Sequence, residues 1–141
     1  MPGSAPAKRL LLVEPHSLFR STLANVARQL ARVDVQEASS LDAARVALET
    51  QRFDGLMLNI GDDLAGLGTL QLLRGGSTIN PKNLPTALLA EGVDQTSIDR
   101  IREMGPKRLL LMPFKVRTAL EVISELMEPG PMETGATFLR A

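Results

Sequence analysis

The chain contains no cysteine, no tryptophan and no tyrosine, and a single histidine, His16. Disulfides, thiolate nucleophiles and cysteine-ligated metals are therefore excluded, and one imidazole cannot build a histidine-rich zinc site. Phe19, Phe53, Phe114 and Phe138 are the only aromatic residues, so the core has to be aliphatic. Excess charge of either sign is also missing, because 16 basic residues balance 16 acidic ones. No net field draws the protein towards nucleic acid or an anionic membrane. Apolar runs such as Leu109 to Met112 are too short to cross a bilayer. Met1 to Ala7 has no apolar h-region, so the expectation is a cytoplasmic protein without a signal peptide.

What remains is ordinary globular composition, with 44% hydrophobic and 23% charged residues over 141 positions. That length suits one domain, burying roughly 68% of the surface of its unfolded chain. Residues 1–7 read as a flexible arm and 8–127 as the domain. Residues 128–141, with Pro129, Gly130 and Pro131 at the start, read as a flexible tail. The apolar patch around Phe138 and Leu139 leaves docking by strand addition as the alternative for that tail.

Between the tails, a short aliphatic run, a turn and a segment of helical period alternate five times. Arg9 to Val13 is a run buried on both faces of a sheet. Ser17 is placed to cap a helix whose stripe is Leu18, Thr22, Val26 and Leu30. Val33 to Ala38 alternates as a less buried strand, and Ser40 caps the helix carrying Leu41, Ala44, Ala47 and Leu48. Phe53 to Ile60 holds a third strand ending at Asn59, and Thr69 to Leu73 supports only a short helix. After the long polar connection Gly75 to Leu84 comes a fourth strand, Pro85 to Ala90. Asp94 or Thr96 caps a helix stopping at Gly105-Pro106. Arg108 to Met112 is the fifth strand, followed by an amphipathic helix, Val116 to Met127, with Leu120, Ile123 and Leu126 inward. The alternation predicts a doubly wound α/β fold, a five-stranded parallel sheet with helices on both faces. Its sites form beyond the carboxyl ends of the strands, at Glu14-Pro15, Asn59, Ala90-Glu91 and Met112-Pro113.

Three stretches carry a resemblance. Leu11-Leu12-Val13-Glu14-Pro15-His16-Ser17-Leu18-Phe19-Arg20, Phe53-Asp54-Gly55-Leu56-Met57-Leu58-Asn59-Ile60-Gly61 and Met112-Pro113-Phe114 resemble, in order and spacing, the receiver domains of two-component response regulators, the NarL-type receivers in particular. The resemblance spans about residues 8 to 127. It implies a flavodoxin-like sheet of strand order 2-1-3-4-5, a cis bond before Pro113, and a phosphoacceptor pocket at the strand ends. In that family an acidic pair holds magnesium, an aspartate accepts the phosphoryl group, and a Ser or Thr and a lysine contact it. The matching positions here are Glu14 with Pro15, then Asn59, Ala90 and Met112, and the family's aromatic switch residue falls on Leu109. A carboxamide cannot form an acyl phosphate, and phosphoryl transfer rests on charge neutralisation by metal and cation. The resemblance thus implies a pseudo-receiver without a phosphorylation switch, not an enzyme, with no cofactor and no bound metal.

For Glu14, metal binding helped by Asp62 and Asp63 is weighed against a leftover carboxylate, and for His16 phospho-acceptance against helix capping. The family's docking and dimerising face, around its fourth helix, fifth strand and fifth helix, corresponds here to Lys107, Arg108, Leu109, Lys115, Arg117 and Glu121. The expected partner is another signalling protein (a histidine kinase, response regulator or output protein), and a homodimer is compatible with the mixed charge. The rival function is a sensor of a nucleotide second messenger. An enzyme is disfavoured because no GxxxxGK[ST], GxGxxG or Ser/His/Asp grouping is present. No DNA-binding output domain is expected after the last helix.

Overall fold

The computed structural model describes residues 7–128 and 137–140. Strands β1 (Arg9–Val13), β2 (Asp34–Ala38), β3 (Gly55–Asn59), β4 (Thr86–Ala90) and β5 (Arg108–Leu111) alternate with five helices. These are α1 (Ser17–Val26), α2 (Leu41–Thr50), α3 (Gly66–Arg74), α4 (Gln95–Glu103) and α5 (Val116–Met127), and a further strand, β6 (Thr137–Arg140), follows. Every strand pair is parallel, in the order β2-β1-β3-β4-β5-β6. The first five strands thus keep the flavodoxin-like order 2-1-3-4-5, with helices on both faces.

The sixth strand adds to the expected sheet. Of the segment read as a tail, 129–136 and 141 lie outside the described residues, as do 1–6 of the arm. Thr137–Arg140 pairs along the whole of β5, from Arg108↔Thr137 to Leu111↔Arg140. Four residues of moderate β-propensity do not announce a strand in isolation. The unpaired N–H and C=O groups of an edge supply the missing partner.

Two apolar layers sandwich the sheet. Leu10, Leu12, Met57, Ala87, Leu89 and Leu110 face α1 and α5, which contribute Leu23, Ala24, Ala119, Val122 and Ile123 among others. Leu11, Val13, Leu56, Leu58, Leu88 and Leu109 face α2, α3 and α4, which contribute Ala44, Leu48, Leu67, Leu70 and Ile101. In α5, Ile123 and Leu126 are buried as expected, while Leu120 is half-buried.

The stripe expected on α1 faces outward. Leu18 and Leu30 are each 71% exposed, whereas Leu23, Ala24 and Ala27 are fully buried. Phe19, Leu23 and Ala27 repeat at the same four-residue spacing, so periodicity alone does not choose between the two faces. The small side chains of Ala24 and Ala27 suit the face packed on the sheet, and Phe19 meets Phe114 edge to face with centroids 5.6 Å apart. The cap also moves by one residue. His16 Nδ1 accepts from Phe19 N at 3.2 Å, so His16 and not Ser17 closes the helix start. Past Val26 the helix widens into a π-helical turn, Ala27–Ala31, ending at Arg32 with φ +56°.

Helix α3 is longer than expected because Gly66 lets it begin close to β3. A Cβ at Gly66 would stand 2.6 Å from Ile60 Cα. The long connection after α3 is held by two polar side chains that periodicity does not reveal. Asn80, only 4% exposed, accepts from Phe53 N at 2.8 Å and donates to Leu48 O and Gln51 O at 2.9 and 2.8 Å. Arg74 donates to Met104 O, Lys82 O, Leu84 O and Gly105 O at 2.7 to 3.1 Å. It thereby ties the ends of α3 and α4 to the loop, and burial lowers the pKa of its guanidinium.

Removing Asn80 leaves Phe53 N, Leu48 O and Gln51 O without partners in a dry site. Asn80→Ala is therefore expected to cost about 3 kcal/mol, read as a lower urea midpoint with the slope unchanged. Asp94, not Thr96, caps α4, accepting from Ser97 N at 2.8 Å. The backbone and then the side-chain hydrogen bond of Ser97 hold the Asp94 carboxyl below its ordinary pKa. A depressed folded pKa means that the cap is present at neutral pH and lost as the pH falls through that lowered value. Hydrogen exchange in the first turn of α4 should accelerate on acidification, and Asp94→Ala should show the fast exchange at every pH.

Candidate functional site

Backbone pairing runs one residue past three of the strands and fixes where their end groups stand. Glu14 N donates to Ala38 O at 3.0 Å, Ile60 N to Leu89 O at 3.0 Å, and Met112 N to Ala90 O at 2.7 Å. A cleft of about 540 Å³ lies beyond these ends, lined by Glu14, Pro15, His16, Phe19, Asn59, Gly61, Asp62, Glu91 and Met112. The structure therefore brings together Glu14, Pro15, Asn59 and Met112 as expected. Ala90, only 1% exposed, is packed into the core beneath the cleft. The Met112–Pro113 peptide is cis. Glu91, expected among the strand-end residues beside Ala90 but given no chemical role there, also lines the cleft.

Glu14 is 2% exposed, and a carboxylate so deep needs donors. Its Oε1 accepts from Asn59 Nδ2 at 2.8 Å and its Oε2 from His16 N at 2.8 Å. Asn59 Oδ1 in turn accepts from Gly61 N at 2.8 Å. The side chain of Asn59 is thus spent in both directions, donating to the first strand's end and accepting from its own loop. Arg20 braces the same corner from below, with Nη1 on Glu14 O at 2.9 Å and Nε on Glu37 Oε1 at 3.2 Å.

A magnesium ion, which the receiver resemblance implies, does not fit this donor set. Both oxygens of Glu14 already accept hydrogen bonds, Pro15 offers no side-chain ligand, and Asn59 turns its amide nitrogen to the carboxylate. Among the described residues no three His, Cys, Asp or Glu side chains come close enough to share a metal. The lining carries Glu14, Asp62 and Glu91 but neither Lys nor Arg, so a phosphate entering it meets negative charge without a counter-cation. The carboxylate of Glu14 is accordingly part of an internal hydrogen-bond network, and His16 serves as a helix cap.

The residues expected on a docking face divide into two sets. Leu109 is fully buried. Lys107 Nζ donates to Glu125 O at 2.8 Å, and Arg108 Nε stands 2.8 Å from Glu125 Oε2, which fastens β5 to α5. Lys115, Arg117 and Glu121 are exposed along the start of α5, giving a patch of mixed sign.

The architecture is that of a CheY-like response-regulator receiver domain. The non-phosphorylated HemR receiver domain from Leptospira biflexa superposes with a TM-score of 0.76 at 21% identity, over 88% of this chain and 97% of that one. The chemotaxis protein CheY4 of Vibrio cholerae gives 0.74 at 18% identity, over 86% and 99%. The receiver domain of the Francisella response regulator 1452 gives 0.73 at 16%, over 85% and 96%. No protein-family profile matches the chain, and no curated protein matches it in sequence. No helix among the described residues is long and apolar enough to cross a membrane.

Asn59 donates a hydrogen bond that an aspartate cannot. Asn59→Asp would set a second carboxylate against the buried Glu14, losing a charge-assisted bond and adding repulsion, at a cost of about 3 kcal/mol. The pKa of the new carboxyl pair would be raised, so the deficit should be largest at neutral pH and shrink on acidification. Thermal unfolding across pH checks this, read at each pH as the difference from the unsubstituted chain.

Proposed function

We propose that the chain is a phosphorylation-independent pseudo-receiver. It acts as a protein-interaction module in bacterial two-component signalling, in the cytoplasm, with no catalytic activity of its own. The observation that carries this reading is the bond from Asn59 Nδ2 to the buried carboxylate of Glu14. It ties up the side chain at the phosphoacceptor position and one metal-ligand position at once. A scaffold that keeps its strand order while its strand ends bond to each other retains a surface to display and has no reaction to perform.

The partner is another signalling protein, a histidine kinase, a response regulator or an output protein. The contact surface is the α4–β5–α5 face, with Lys115, Arg117 and Glu121 at its exposed margin. Mixed charge on one face suits a self-complementary or charge-matched partner and sets specificity more than affinity. The rival reading, a nucleotide second-messenger sensor at the strand ends, loses support from the charge of the cleft: an anionic ligand would face Glu14, Asp62 and Glu91 with no lining cation.

Incubation with acetyl phosphate and magnesium tests the proposal, followed by mass spectrometry of the intact protein. The expected result is an unmodified chain, together with an unfolding temperature that beryllofluoride does not move. An acid-stable, hydroxylamine-sensitive phosphoryl adduct would sink it.

A further inference from the structure

The hand of the last crossover singles out β6. Helices α2, α3 and α4 share one face of the sheet, and α1 and α5 share the other. The connections from β3 to β4 and from β4 to β5 advance towards β6 over the first face. The connection from β1 to β2 runs in the opposite direction over the second face. All of these have one hand, the right-handed one that nearly every parallel crossover adopts. From β5 to β6 the chain advances in the β3-to-β4 direction, yet its helix, α5, lies on the second face. That crossover has the opposite hand.

The ends it joins are also apart. Helix α5 finishes against β3, where a Cβ on Gly55 would meet Met127 Cε and Leu126 Cβ. Strand β6 lies three strand positions further along, about 14 Å across the sheet at the usual spacing. Eight residues, 129–136, join Glu128 to Thr137, and such a length reaches about 30 Å at most. They are as able to reach a neighbouring molecule packed on this edge as their own.

We infer that the β5 edge is a strand-docking site whose occupant in solution is Thr137–Arg140 of a second copy, so that the chain forms a strand-exchanged, two-fold dimer. The register is the one the structure shows, Arg108↔Thr137 to Leu111↔Arg140. Main-chain hydrogen bonds supply the affinity of such an added strand, and an identical element traded between copies closes a symmetric pair. Exchange removes the disfavoured crossover, because β5 and β6 of one sheet then belong to different chains. Opposing it is the high effective concentration of a strand tethered in the same chain. The dimer is therefore expected to grow with protein concentration. This inference places a second copy on the α4–β5–α5 face proposed above, but it does not depend on the loss of phosphorylation, and the two tests fail separately.

The absence of native cysteine makes the test direct. Chains carrying Leu111→Cys alone and Arg140→Cys alone are mixed, unfolded together, refolded and oxidised. Neighbouring residues in register on adjacent strands lie within disulfide range, and neither single variant can form this link within one chain. The expected result is a disulfide-linked heterodimer on a denaturing gel, abolished when Leu139→Pro is added to the Arg140→Cys chain to remove a ladder donor. Light scattering on the unsubstituted chain should show a dimer fraction rising with concentration, and on Leu139→Pro a monomer. A monomer at every concentration, no heterodimer in the mixture, or a dimer that survives Leu139→Pro would each overturn the inference.

Discussion

Leu10, Leu11, Leu12 and Val13 in β1, Leu56, Met57 and Leu58 in β3, and Ala87 to Ala90 in β4 are at most 1% exposed. A parallel sheet covered on both faces admits no unsatisfied polar side chain along these strands. Polar groups are therefore pushed to the strand ends, where the ladder stops and loops begin. At the lower end Arg9 takes up that role: its guanidinium bonds to Asp34, Arg52 O and Gln51 and lies 5.0 Å from the Phe53 ring centroid. At the upper end Glu14 and Asn59 bond to each other. The site is thus a consequence of the core, because the residues that meet there are the first ones the sheet allows to be polar.

That constraint also explains which parts of the fold were legible in the sequence. The runs that became β1, β3 and β4 are unbroken and aliphatic, and a run of that kind has few other places to go. The end residues Glu14, Asn59 and Met112 followed from the strand boundaries, and the structure gathers them around one cleft. What the sequence hid was choice between equivalent patterns. In α1, Leu18-Thr22-Val26-Leu30 and Phe19-Leu23-Ala27 have the same spacing, and only the packing of small residues against the sheet separates them. Leu18 and Leu30 ended outside.

Polar side chains with distant partners were equally hidden. Asn80 and Arg74 look like ordinary members of a polar connection and the end of a helix, since nothing local marks a residue that will satisfy carbonyls 29 to 32 positions away. Strand β6 was legible only as the alternative of strand addition by the patch around Phe138 and Leu139, because its partner, β5, lies 29 residues earlier in register. Local periodicity reports on which face of an element is apolar. It carries no information about edges, which exist only once the sheet has been assembled.

The cleft and the sheet edge meet at β5. Towards the cleft, β5 is followed by Met112, a side chain that needs no counter-ion where the resembling family has a lysine. Along its flank, Lys107 and Arg108 are engaged by Glu125 of α5, and its backbone edge is paired with β6. An edge is read by hydrogen bonds common to every residue type. On the proposed strand exchange, selectivity for one occupant comes from register and from the exposed charges nearby, Lys115, Arg117 and Glu121. Under that proposal, a domain whose strand ends are bonded to each other and whose β5 edge takes an added strand places its recognition on backbone geometry instead of on a covalent signal.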